Sequence, residues 1–250
     1  MRVITEPFRF NPKKINTTET LIIGFSEHIE ELKQRIYQSL IVSLFLMVIF
    51  FIDVSWWVDI LTSSVKMIKF IQLAPGEYFI STLKISIYAG LFFSLPIFIN
   101  QIILFILPGL NESEKRFILP LLILSTILFI SGIFFSYKIL IPAALVFFVQ
   151  YGSDFVEPLW SFDEYLNFVA LLFFTTGLTF QIPLVQIILG LTNVSSSIQM
   201  LKIWKYVIVG ATIVGAILTP STDPITQLCL SFAIILLYFV GILILKLYNK

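Results

Sequence analysis

Apolar residues in this chain fall into long unbroken runs, not into the short alternations of half-buried strands or the one-sided stripes of soluble helices. A helix needs about 20 apolar residues to cross a bilayer. Six such runs are present, roughly 36–54, 78–106, 117–138, 165–190, 204–219 and 224–245. Lys84 and Pro96 fall within the second and Pro183 within the fourth. The pattern predicts an all-α polytopic membrane protein: a polar tail over residues 1–24, then one domain of six transmembrane helices over 25–250. Only Leu218-Thr219-Pro220-Ser221-Thr222-Asp223 separates the last two runs, so they form an antiparallel hairpin. Both are short for a full bilayer and are expected to cross a locally thinned membrane.

The charges orient this bundle. Six spans place both termini on one side, together with Arg2, Arg9, Lys13, Lys14, Lys33, Arg35, Lys115, Arg116, Lys202, Lys205, Lys246 and Lys250. Lys66, Lys69, Lys84 and Lys138 fall to the other side. This imbalance is the positive-inside pattern and puts both termini on the side from which insertion occurs. The opposite face collects the acids Asp53, Asp59, Glu77, Asp154, Glu157, Asp163, Glu164 and Asp223. Its loops, with Trp56, Trp57, Tyr151 and Trp160, are too apolar to float in water and are expected to pack as a cap.

Composition narrows the function classes. With 58% hydrophobic and 12% charged residues the chain is no soluble domain, and a net charge of +1 offers nucleic acid no attraction. Cys229 is the single cysteine and His28 the single histidine, which excludes an internal disulfide and the His- and Cys-based metal motifs. Residues 1–20 lack the apolar core of a secretory signal, so the first span is expected to direct insertion. Phe, Ile, Lys and Asn come from A/T-rich codons, as in a compact organelle genome or an A/T-rich bacterium.

Residues 26–35 carry the densest charge of the chain and lead directly into the first span. Glu31 stands one turn before Arg35, a spacing that gives an ion pair worth about 0.2–0.5 kcal/mol on an exposed helix. Carboxylates at a membrane edge also meet cations more strongly than in bulk water. Asn111 and Glu114 have capping-box spacing for the third span and lie on the same membrane face as Glu31. Asn100, Gln101, Asn167, Gln181 and Gln186 are amides in or near spans and read as hydrogen-bonded links between helices. Pro183 frees a carbonyl and kinks the fourth span beside Gln181. From Tyr165 to Leu201 there is no acid or base apart from Tyr, unlike the spans of proton and ion carriers. Phosphate-loop and nucleophile-elbow motifs are also missing.

Four blocks of sequence carry a resemblance. His28-Ile29-Glu30-Glu31-Leu32-Lys33 resembles the H-L-x-E-L-R signature of the TatC family, the polytopic subunit of the twin-arginine protein translocase. Ala74-Pro75-Gly76-Glu77 is similar to that family's P-G-E. The stretch from Pro96 through Phe105-Ile106-Leu107-Pro108-Gly109-Leu110 to Glu114-Lys115-Arg116 resembles its P-x-x-x-Y-Q…F-x-x-P-G-L…E-[KR]-R block. Thr219-Pro220-Ser221-Thr222-Asp223-Pro224-Ile225-Thr226-Gln227 is similar to the turn of its cyanobacterial and plastid branch. Lys33 replaces Arg, Asn100 replaces Tyr, Gln181 replaces Glu, and Phe239 stands where an acid often follows Leu-Tyr.

The resemblance implies a concave, glove-like bundle that binds the twin-arginine signal of folded precursors, driven by proton-motive force, with no enzymatic activity, metal or cofactor. It assigns signal binding to Glu31, Glu114, Phe105, His28 and Arg35. It assigns groove and partner contacts to Gln181, Pro183, Thr226 and Asp223. The implied partners are single-span subunits of the TatA and TatB type, membrane lipid, and further copies of the chain in a receptor complex. The implied place is the plastid thylakoid membrane, with a bacterial plasma membrane or a mitochondrial inner membrane as alternatives. The rival class is a secondary transporter with a midplane solute site, disfavoured by the uncharged mid-spans and the lack of inverted repeats.

Overall fold

The computed structural model describes residues 17–63, 70–106, 117–151, 159–219 and 223–247, with side chains described from Ile29 onward. Helix α1 spans Thr17–Ile52, α2 Val54–Ser63 and α3 Glu77–Ile106. Helix α4, Ile118–Phe135, continues through a π-turn at Ser136–Leu140 into α5, Ile141–Tyr151. Helices α6, Phe162–Thr179, and α7, Ile182–Leu191, follow end to end. The short α8, Ser197–Lys202, precedes α9, Trp204–Leu218, and α10, Pro224–Leu247. Strands β1, Phe70–Ile71, and β2, Trp160–Ser161, form one parallel bridge.

Among the described residues, five helical segments are long and apolar enough to cross a membrane: Ile29–Ile52, Glu77–Phe105, Ile118–Tyr151, Phe162–Leu191 and Pro224–Leu247. Trp204–Leu218 is a shorter apolar helix. The chain is a multi-pass membrane protein. Three boundaries differ from the hydropathy reading. Helix α1 takes in residues 17–24, assigned above to a polar tail. The third run does not stop near 138. Its helix continues to Tyr151, because the Ile141 N–H reaches back to the Ser136 carbonyl and widens the turn just before Pro142. A proline is tolerated in the first turn that follows, where its missing N–H and its ring do least harm. Finally, α9 is short as expected, about 22 Å at 1.5 Å per residue, but α10 at 24 residues reaches about 36 Å and is not short.

Pairings between helices fix their directions. Arg35 of α1 meets Gln101 of α3, and Met47 meets Gly90, so α1 and α3 are antiparallel. Lys84 meets Asp163 and Tyr88 meets Asn167, so α3 and α6 run parallel. Gly190 abuts Leu245 and Gly241 abuts Gln186, so α7 and α10 run parallel. Ser231 donates to the Ala211 carbonyl and Gln227 to that of Thr212, which makes α9 and α10 the expected antiparallel hairpin. It follows that the start of α1 and the ends of α3, α7 and α10 share one end of the bundle. Lys33, Arg35, Lys202, Lys205 and Lys246 lie at that end.

The seam of α1 on α3 is made from small residues. Arg35, Ser39, Ser43 and Met47 follow one another at helical i,i+4 spacing, and Ser39 and Ser43 are the buried side chains among those described for α1. A Cβ on Gly90 would stand 2.4 Å from Met47 Cγ and 2.7 Å from its backbone nitrogen, so only glycine lets the two backbones approach this closely. Ile103, Leu121, Leu184, Ile187, Leu191, Met200, Tyr238, Ile242 and Leu245 form a core at the end that holds the termini. At the other end α2 and the β-bridge close over α3 and α6. There Tyr165 donates to the Leu61 carbonyl at 2.7 Å and Tyr137 to that of Ile60 at 3.1 Å. This agrees in part with the cap expected of the aromatic loops: residues 64–69 and 152–158 lie outside the described residues, and Trp56 and Tyr151 are exposed.

Candidate functional site

The acidic edge is built where α1 and α3 meet at the end of the bundle that holds the termini. Glu31 and Arg35 lie one helical turn apart on α1. The Arg35 guanidinium donates through Nε, at 3.1 Å, and through Nη2 to the same Glu31 oxygen. Its third edge, Nη1, donates across to Oε1 of Gln101 on α3 at 3.1 Å. The Arg35 side chain is 23% exposed and that of Glu31 37% exposed, so the acid is the more open of the two side chains. Phe105 follows Gln101 by one turn on the same stripe of α3 and is half-buried.

The structure therefore joins Glu31 and Arg35 to Gln101, with Phe105 one helical turn further along α3. Glu114 lies outside the described residues, and so does the side chain of His28. From sequence, Gln101 is one of several interhelix amides. The signal that singles it out is its place one turn before Phe105, inside a block already marked by the family resemblance.

A second polar network lies among α3, α4 and the break between α6 and α7. Ser125 Oγ donates to Oδ1 of Asn100, and the Asn100 amide lies 3.4 Å from Thr126 Oγ1. Gln181 Nε2 donates to the Ser125 carbonyl at 3.2 Å. Two departures from the family pattern, Asn100 and Gln181, thus meet on one serine. The helix breaks here because Pro183 has no N–H for the Thr179 carbonyl; Phe180 and Gln181 turn the chain, and α7 restarts with Pro183 in its first turn. Gln186 departs from the expected role. It is buried against Gly241, and its amide makes no hydrogen bond among the described residues.

Residues expected to touch partners are enclosed. Asp223 is 1% exposed and caps α10, accepting from the Thr226 N–H at 2.8 Å; Thr226 itself is fully buried. Gln181 and Pro183 are buried as well. All four side chains are therefore interior, with little surface to offer a partner. Phe239 is exposed on α10 and faces outward.

A cavity of about 260 Å³ opens among α2, α3, α4 and α6, lined by residues that include Trp57, Phe92, Phe93, Phe134, Tyr137 and Phe173. Its walls are almost wholly apolar, and Gln181 is not among them. At the capped end Asp163 accepts from Lys84 at 2.7 Å, from Ser81 at 3.0 Å and from Asn167 at 3.3 Å. Glu77 accepts from Ser161 at 2.7 Å and from the Ala74 N–H at 3.1 Å. Sequence reasoning assigns Asp163 to the acidic outer loops and Lys84 to the start of a span, and it does not pair them.

Comparison with known proteins gives one answer. Residues 27–232 match the family model for Sec-independent protein translocase protein (TatC). A tatC-like protein, ycf43, of Trieres chinensis is 54% identical over 97% of this chain and 91% of its own. The Sec-independent protein translocase protein TatC of Synechocystis sp. is 49% identical over 90% of this chain and 88% of its own. A chloroplastic TATC of Oryza sativa subsp. japonica is 46% identical over 90% of this chain and 63% of its own. A crystal structure of the twin arginine translocase receptor TatC is similar with a TM-score of 0.75 and 33% identity, over 89% of this chain and all of that one.

Proposed function

Because the chain belongs to the TatC family of Sec-independent protein translocase proteins, we propose that it is the receptor subunit that reads twin-arginine signal peptides at the α1–α3 edge. The observation that carries this reading is Glu31. It is a partly exposed carboxylate at the membrane edge, at an end of the bundle otherwise dominated by bases. A guanidinium can meet a carboxylate through two parallel hydrogen bonds, which an ammonium cannot do. On this reading Glu31 and Glu114 supply two such acids, and Phe105 supplies an aromatic face for a signal arginine.

On this reading the end holding the termini faces the stroma, and the capped end with Lys84 and Asp163 faces the thylakoid lumen. The apolar part of the signal enters between helices, where the cavity already excludes polar groups. Single-span subunits of the TatA and TatB type dock on exposed faces such as that of Phe239 on α10. Transport draws on proton-motive force, and the chain works as a translocase subunit with no catalytic step of its own. Membrane thinning rests on α9 alone.

The test is crosslinking of a twin-arginine precursor to the protein in its membrane. Glu31→Ala and Glu114→Ala, and a Lys-Lys signal with the native protein, are each expected to reduce the adduct about tenfold or more, the range for removing one member of a charge-assisted pair. An adduct indifferent to all three changes refutes the receptor reading.

A further inference from the structure

We propose that Arg35 is a built-in competitor for Glu31, a guanidinium of the receptor's own that occupies the carboxylate until a signal arginine displaces it, with Gln101 as the anchor that keeps it aligned. This rests on the reading of Glu31 as a signal-binding acid. Three observations support it. Arg35 presents Nε and Nη2 to Glu31, the same edge that an incoming guanidinium would use. Gln101 holds the remaining nitrogen from a different helix, so the pair is more than an ordinary neighbour contact along one helix. Glu31 is also the more exposed partner, so a ligand can approach it while Arg35 is in place.

Displacement needs no loss of charge pairing. An arriving guanidinium takes over Glu31, and Arg35 keeps its hydrogen bond to Gln101 at the edge of water. Occupancy by Arg35 lowers the apparent affinity for every cationic signal by the same factor, the fraction of molecules in which Glu31 is open. Weak ligands therefore fall below a useful threshold while strong ones stay above it. Arg35 accordingly acts as a positioning residue that sets this threshold, rather than as a group that grips the signal.

The experiment measures binding of synthetic Arg-Arg and Lys-Lys signal peptides to the full-length protein in detergent, with thermal unfolding followed alongside. If Arg35 holds Glu31 in about four molecules of five, Arg35→Gln tightens both peptides about fivefold and by equal factors. Gln101→Leu tightens both in the same direction by less, and Arg35→Lys falls between Arg35→Gln and the native protein. A merely structural role predicts looser binding together with a lower unfolding temperature. The inference is overturned if Arg35→Gln leaves binding unchanged or weakens it in a protein of native stability. Should that variant not fold, unchanged or weaker binding by Gln101→Leu overturns it instead. Glu31→Gln and Glu114→Gln serve as the reference. If both bind as the native protein does, the receptor reading itself fails; if they lose binding while Arg35→Gln gains none, only the competitor is refuted.

Discussion

Asp163 shows how much of this molecule is settled one side chain at a time. Its carboxylate gathers Lys84, Ser81 and Asn167, joining α3 to α6 just beneath the cap. Removing it leaves the Lys84 ammonium, about one third exposed, without its carboxylate. Asp163→Ala is expected to destabilise the protein by about 1.5–3 kcal/mol, the range for losing hydrogen bonds to a charged group. Asp163→Asn, which still accepts from Ser81, is expected to cost less. Thermal unfolding in detergent orders the two. At this scale local pairs are legible and distant ones are not. The Glu31–Arg35 contact follows from helical spacing alone, whereas Arg35–Gln101 and Lys84–Asp163 join residues whose proximity depends on how whole helices dock. The same limit explains Gln186, which reads as an interhelix link but sits against Gly241 with no hydrogen bond among the described residues.

Elements were foreseen where apolar length alone decides them and missed where backbone detail intervenes. Hydropathy finds α3 and the α9–α10 hairpin, and Pro183 correctly marks the break between α6 and α7. It ends the third helix too early, since Pro142 looks like a stop unless the π-turn ahead of it is known. It also assigns residues 17–24 to a tail, because Thr17–Thr20 are polar and Leu21–Ile23 are too short an apolar run to read as a span, although all of them belong to α1. The α1–α3 seam gives a prediction of its own. Gly90→Ala drives a methyl group into Met47 and is expected to destabilise by about 1–3 kcal/mol, the usual cost of overpacking. Gly210→Ala on α9, with nothing within 4 Å, is expected to be neutral or mildly stabilising. Unfolding temperatures of the two variants provide the comparison.

For the molecule as a whole, the alternation of helix directions was readable from the count of apolar runs, and the end shared by the start of α1 and the end of α10 follows from the pairings between helices. The interior was less readable: Asp223 and Thr226 lie in a family-like turn, yet both are enclosed by the fold. Length remains the property with the plainest functional consequence. If the 15-residue α9 thins the membrane around the protein, inserting one apolar turn into it is expected to reduce precursor transport several-fold with signal crosslinking unchanged, since a mismatch of about 5 Å is relieved. Normal transport through the lengthened protein refutes the thinning role.

Helix α1 touches its neighbours differently from the others. With Ser39 and Ser43 as the buried positions among its described side chains, most of its large apolar side chains remain exposed at the surface of the bundle. Such a helix is at ease in a bilayer by itself. It can therefore insert as it leaves the ribosome and wait, and its docking on α3 becomes a separate, later association between two helices already in place. The edge formed by Glu31, Arg35 and Gln101 comes into being only at that second step. A newly made chain completes that edge when α3 arrives, not when its first charged residues reach the membrane.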